Sequence, residues 1–142
     1  MKPMINAIFG LAALLFAFPT NAGAVKDLAN MEAAAAKSRV VQGVNVLLSQ
    51  AGKKRMSEDE VRKSTKKMIE QLDEVALQEG KSCLYISNEW EEEQGKLFQS
   101  DIAKMKPGRV KDAFVANFAS VTRDGADYIK YKCLANSDFL NN

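Results

Sequence analysis

The chain has 142 residues, with 20 Lys and Arg against 18 Asp and Glu, a formal net charge of +2 and no histidine. So even a balance gives no global field to steer it toward nucleic acid or an anionic membrane surface. The lack of histidine removes the usual general base of serine and cysteine hydrolases and the commonest ligand of catalytic zinc. The two cysteines would need further soft ligands to hold a metal.

Residues 1–24 read as a cleaved secretory signal peptide. Lys2 gives a positive start, residues 7–18 form an uncharged run, Pro19 breaks it, and Ala22, Gly23 and Ala24 supply the small-x-small pattern of a peptidase site. Cleavage between Ala24 and Val25 leaves one domain of 118 residues, 25–142, with 19 basic and 18 acidic side chains once Lys2 is removed. Crossing a bilayer needs about 20 apolar residues, and this run meets Pro19, Thr20 and Asn21, so no stable membrane insertion is expected after cleavage. Export points to the periplasm of a bacterium, or to the exterior of the cell.

The first mature helix is expected over 25–51. It is alanine-rich, and Leu28, Met31, Ala34, Ala35, Val41, Val44, Val46 and Leu48 supply apolar contacts at helical spacing. Gly43 inside it marks either a close approach or a bend. Gly52 with Lys53, Lys54 and Arg55 forms a natural boundary.

The second helix has the clearest local signals. Ser57 and Glu60 form a capping box, Glu58 and Asp59 put negative charge on the first turn, and Gly80 is a stop. Val61, Thr65, Met68, Leu72, Val75 and Glu79 recur at alternating four- and three-residue spacing, widened by Ile69 and Ala76.

Residues 83–86 fit helix or a short strand, leading to a helix capped at Asn88 with Trp90, Leu97, Phe98, Ile102 and Met105 on one side and a stop at Pro107 and Gly108. Val110, Phe114, Val115, Phe118 and Val121 form the face of a fourth helix, which Asp124 and Gly125 should end. The tail from Tyr128 to Cys133 alternates as an edge strand does, and a pairing of 82–87 with 128–134 is one arrangement it allows. The expected fold is therefore all-α, a small four-helix domain with a C-terminal tail, helical or a short strand, fastened by one disulfide.

That disulfide joins Cys83 and Cys133, since two thiols in an exported chain pair in an oxidising compartment. It closes 49 intervening residues, for which chain entropy gives about 4 kcal/mol. No Cys-x-x-Cys motif argues for a redox role.

Catalytic patterns are weak. Ser64 and Lys67 match Ser-x-x-Lys without the motifs that accompany it in serine acyl-enzymes, and they sit on the polar flank of the second helix. Glu89, Glu91, Glu92, Glu93 and Asp101 contain enough carboxylates for a glycosidase pair, but a run of acids beside Trp90 reads first as a solvated face. No loop organises those acids for calcium. No catalytic, cofactor-binding or metal-binding residue is assigned, and no cofactor or nucleic-acid partner is expected.

Charge is segregated, with basic residues over 53–67 and acids over 89–93. Tyr128 and Tyr131 lie among Lys130 and Lys132, a composition favoured at interfaces. The expected partner surface is Lys63, Lys66, Lys67, Glu91, Glu92, Tyr128 and Tyr131. The functional expectation is an exported, non-enzymatic protein that binds an envelope protein, as an inhibitor or immunity protein, a chaperone or a secretion accessory factor. The alternatives are a carrier of a small apolar ligand and a small cell-wall hydrolase.

Overall fold

The computed structural model describes residues 21–51 and 56–137. Residues 1–20 of the expected signal peptide and the boundary at 52–55 lie outside the described residues. Four helices follow in order: α1 over Asn21–Ala51, α2 over Glu58–Ala76, α3 over Cys83–Ile102 and α4 over Arg109–Ala135. No strand occurs among the described residues. None of these helices is long and apolar enough to cross a membrane.

Side-chain pairs join the helices. Arg39 meets Asp124 at 3.0 Å, Thr65 meets Asn45, and Cys83 is bonded to Cys133. Successive helices run antiparallel because the short connections between them cannot return the chain to the start of the preceding helix, and Cys83–Cys133 with Phe98–Phe118 shows it for α3 and α4. The last helix, α4, packs against all three others and forms the axis of the bundle.

The α1–α4 contact is built from small residues. Among the described side chains of α1, the buried ones are Ala29, Ala33, Ala36, Val40 and Val44, one per helical turn, and at Gly43 a Cβ atom would overlap Val121 Cγ2. Gly43 thus serves close packing rather than a bend. Of the larger residues expected to make contact, Val44 is buried and Val41 and Leu48 pack against the core, but Leu28 and Val46 are exposed and Met31 is 67% exposed. Helices approach closely only along a smooth surface, so the alanine stripe outcompetes the leucine and methionine positions. The α1 helix also begins at Asn21, ahead of the expected Val25, so the expected cleavage junction lies within its first turns.

The capping box of α2 forms as expected. Ser57 Oγ accepts from the Glu60 amide at 3.2 Å, and Glu60 Oε2 accepts from the Ser57 amide at 3.0 Å. Thr65, Ile69, Leu72 and Ala76 are its buried side. The helix ends at Ala76, and Gly80, with φ of 81°, lies in the following connection rather than at the stop.

Two expectations fail in the second half. The third helix starts at Cys83 rather than at an Asn88 cap, because Ser82 Oγ accepts from the Tyr85 amide at 3.1 Å and makes residues 83–86 the first helical turn. The fourth helix does not stop at Asp124 and Gly125, and the tail is its last turns rather than a strand. Gly125 lies beneath Trp90, where an added Cβ would stand 2.5 Å from the indole Cη2. Tyr128 and Ile129 are adjacent and both buried, which a central helix touching several neighbours accommodates. The α3–α4 pair is held by the disulfide, with Cα atoms 5.5 Å apart, by Trp90 over Gly125, and by Phe98 stacked on Phe118 at a centroid distance of 3.6 Å.

Candidate functional site

Both α1 and α2 pack more extensively on α4 than on each other. The space left between their facing sides is a groove of about 820 Å³, open to solvent rather than enclosed. Its apolar lining comes from Val41 of α1 and from Val61 and Ile69 of α2, with Met56 at the end where α2 begins. Thr65 lies among them, buried, its hydroxyl donating to the Val61 carbonyl at 2.8 Å and standing 3.3 Å from Asn45 Oδ1. The polar atom in the lining is thus partnered, which keeps its burial from costing stability.

The rim carries both signs. Glu58, Arg62, Lys66 and Glu70 recur every fourth residue along α2, while Lys37 and Asn45 stand on α1. Arg62 is 3.9 Å from Asp59, at exposed positions where such a pair contributes little. Among the described residues Lys37 and Lys66 enter no ion pair. At the far end Asp73 accepts a hydrogen bond from the Tyr128 hydroxyl. Burial, then that hydrogen bond and the charge of Asp73, hold the Tyr128 phenol well above its ordinary range, so it remains a donor.

The residues expected to form one partner surface are dispersed. Lys66 lines the groove, Lys67 is exposed but not part of the lining, and Lys63 pairs with Asp59 at 3.1 Å. Glu91 and Glu92 are exposed on α3. Glu92 pairs with Lys96 at 3.6 Å and lines a separate depression of about 320 Å³ with Tyr85, Asn88, Glu89 and Glu93. Tyr128 is only 4% exposed and belongs to the core. It is not on an exposed edge, because its ring fills the bundle and its hydroxyl finds Asp73. Tyr131 is half-buried against the core, with Lys130 Nζ 4.8 Å from its ring centroid.

Within the carboxylate group considered for hydrolysis, Glu89 is engaged by Lys81 at 3.3 Å. Among the described residues no three His, Cys, Asp or Glu side chains are grouped to hold a metal ion. The Cys83–Cys133 disulfide is compatible with an oxidising compartment. No known protein family matches the chain, and neither a characterised protein nor a solved structure is significantly similar to it.

Sequence reasoning missed Lys37, Val41, Asn45 and Asp73 as members of a site. The one signal for the groove is Thr65 between the apolar Val61 and Met68 of the α2 stripe, with Arg62 and Lys66 flanking it.

Proposed function

We propose that this chain is an exported, non-enzymatic protein of a bacterial envelope, periplasmic or released, that acts by binding another protein. The observation that carries this reading is the open groove between α1 and α2, an apolar floor with a two-signed rim. Apolar area supplies affinity when covered, and charges around it select the partner and speed encounter. Roles consistent with such a surface are inhibition or immunity toward an envelope enzyme, chaperoning, and service as an accessory to a secretion assembly.

A second reading is favoured by the volume of the groove. About 820 Å³ falls in the range of small-molecule sites, so carriage of a small apolar ligand is the alternative. Its open side weighs against it, since such sites bury most of the ligand.

The test is affinity capture from envelope extract with the mature oxidised protein, beside a Val41→Glu/Val61→Glu variant whose melting is first checked. One stoichiometric partner, retained by the wild type and lost by the variant, is the expected result. If no protein is retained and native mass spectrometry finds a small amphiphile bound, the carrier reading replaces this one.

A further inference from the structure

The groove has a shape and a charge order that specify more than a generic contact. Resting on the protein-binding reading, we propose that it seats one face of an amphipathic helix of the partner. That helix is apolar where it meets Val41, Val61 and Ile69, and acidic in the middle of the edge that meets Arg62 and Lys66.

Shape comes first. An open trough leaves a small ligand wet along one side, whereas a docked helix needs to bury only one stripe and keeps its polar back in water. The α2 wall runs from Glu58 to Asp73, about 22 Å at 1.5 Å per residue. That matches about four turns of a partner helix.

Charge then narrows the partner. Among the described residues of the lining, the cations Lys37, Arg62 and Lys66 are matched by the carboxylates Glu58, Glu70 and Asp73. A simple anionic amphiphile would meet as many repelling groups as attracting ones, whereas a polypeptide can present both signs in order. Along α2 the row Glu58, Arg62, Lys66, Glu70 reads negative, positive, positive, negative, with a step of about 6 Å. A helix laid beside it carries its own four-residue row at the same step. The complementary order is basic, acidic, acidic, basic. This order reads the same in both directions, and Lys37 breaks the tie. The antiparallel register set by Asn45 and Thr65 brings Lys37 to the Asp73 end, so an acid on the opposite edge of the docked helix belongs there.

The experiment uses two synthetic helical peptides of about 18 residues with the same leucine stripe. One carries the edge Lys-x3-Glu-x3-Glu-x3-Lys and the other the reversed signs. Fluorescence anisotropy measures each against the mature oxidised protein. The acid-centred peptide should bind about tenfold more tightly at low salt, a difference built from several small exposed pairs, and the preference should shrink at about 0.5 M salt. In the Arg62→Glu/Lys66→Glu variant, altered only at exposed positions, the row on α2 becomes uniformly acidic and the preference should disappear; a preference that survives would overturn the proposal. Val61→Glu should weaken both peptides. Equal affinities in the wild type, or no binding of either peptide, would overturn the proposal. So would a Val61→Glu-sensitive dimer in sedimentation, which assigns the groove to a second copy, or a bound amphiphile lost on the same substitution. An envelope partner that cross-links away from the groove would overturn the helix in the groove while leaving the protein-binding reading intact.

Discussion

The hydroxyl of Tyr128, in the middle of the bundle on α4, donates its hydrogen bond to Oδ1 of Asp73, where α2 borders the open groove. This single link joins the core to the rim. Tyr128→Phe keeps the ring volume and removes the donor, leaving the half-buried Asp73 short of a partner. The expected cost is about 1–2 kcal/mol at neutral pH, read from urea melts.

The same link has a pH signature. The folded-state value of Tyr128 lies above its unfolded value of about 10. Its contribution is thus fully present below pH 10 and is lost as pH rises above it, because the unfolded chain releases that proton first. Wild-type stability should fall more steeply between about pH 9.5 and 11.5 than that of Tyr128→Phe. Parallel slopes for the two proteins would show that Tyr128 does not titrate as an interior donor.

Two helical glycines should respond oppositely to alanine. At Gly125 the new methyl would meet the rigid Trp90 ring, 2.5 Å from Cη2 and 2.9 Å from Cζ3. A loss of about 1–3 kcal/mol is expected. At Gly95, inside α3, nothing lies within 4 Å of the added atom. Alanine there should stabilise by about 0.5–1 kcal/mol through helix propensity. Thermal melts of the two variants should move in opposite directions.

Removing the disulfide should weaken the fold. Cys83 opens α3 and Cys133 lies two residues before the end of α4, so the bond pins the far ends of an antiparallel pair. Cys83→Ala/Cys133→Ala, or reduction, should cost about 2–4 kcal/mol while far-UV circular dichroism stays helical at low temperature. A bundle that lost its helices outright would mean that Trp90 over Gly125 and the Phe98–Phe118 stack cannot hold α3 alone.

The reciprocal bonds of Ser57 and Glu60 should be measurable too. Ser57→Ala is expected to lower stability by about 1 kcal/mol, detected in urea melts. Because this cap lies beside Met56 and Glu58 at one end of the groove, any peptide affinity should fall with it.

The fold was more legible in the chain than the site was. The capping box, the Cys83–Cys133 pair and the stripe of α2 depend on residues a few positions apart or on the sole available partner thiol, and each is found, except that Glu79 of the expected stripe lies exposed beyond the end of α2. The errors share a cause. Asp124 and Gly125 read as a stop because an isolated helix suffers from glycine, yet Trp90 fills the space above Gly125 and α4 continues. By spacing, Leu28 and Met31 belong to the apolar face of α1, whereas close contact with α4 selects Ala29, Ala33 and Ala36. Tyr128 read as an exposed edge residue because alternation over 128–133 resembles a strand, and the same pattern on a central helix is buried on several sides.

Local chemistry along the chain decided the helices, the α2 cap and the covalent fastening, because those energies arise between neighbours in sequence or from a pair with no competitor. Which faces are buried, and where an apolar surface is left uncovered, was decided only when α4 came to the centre. The small-residue stripe draws α1 onto α4. Between α1 and α2, each of which packs more extensively on α4 than on the other, an open space remains. The groove over Val41, Val61 and Ile69 is lined from both helices, and no single segment of the chain contains it.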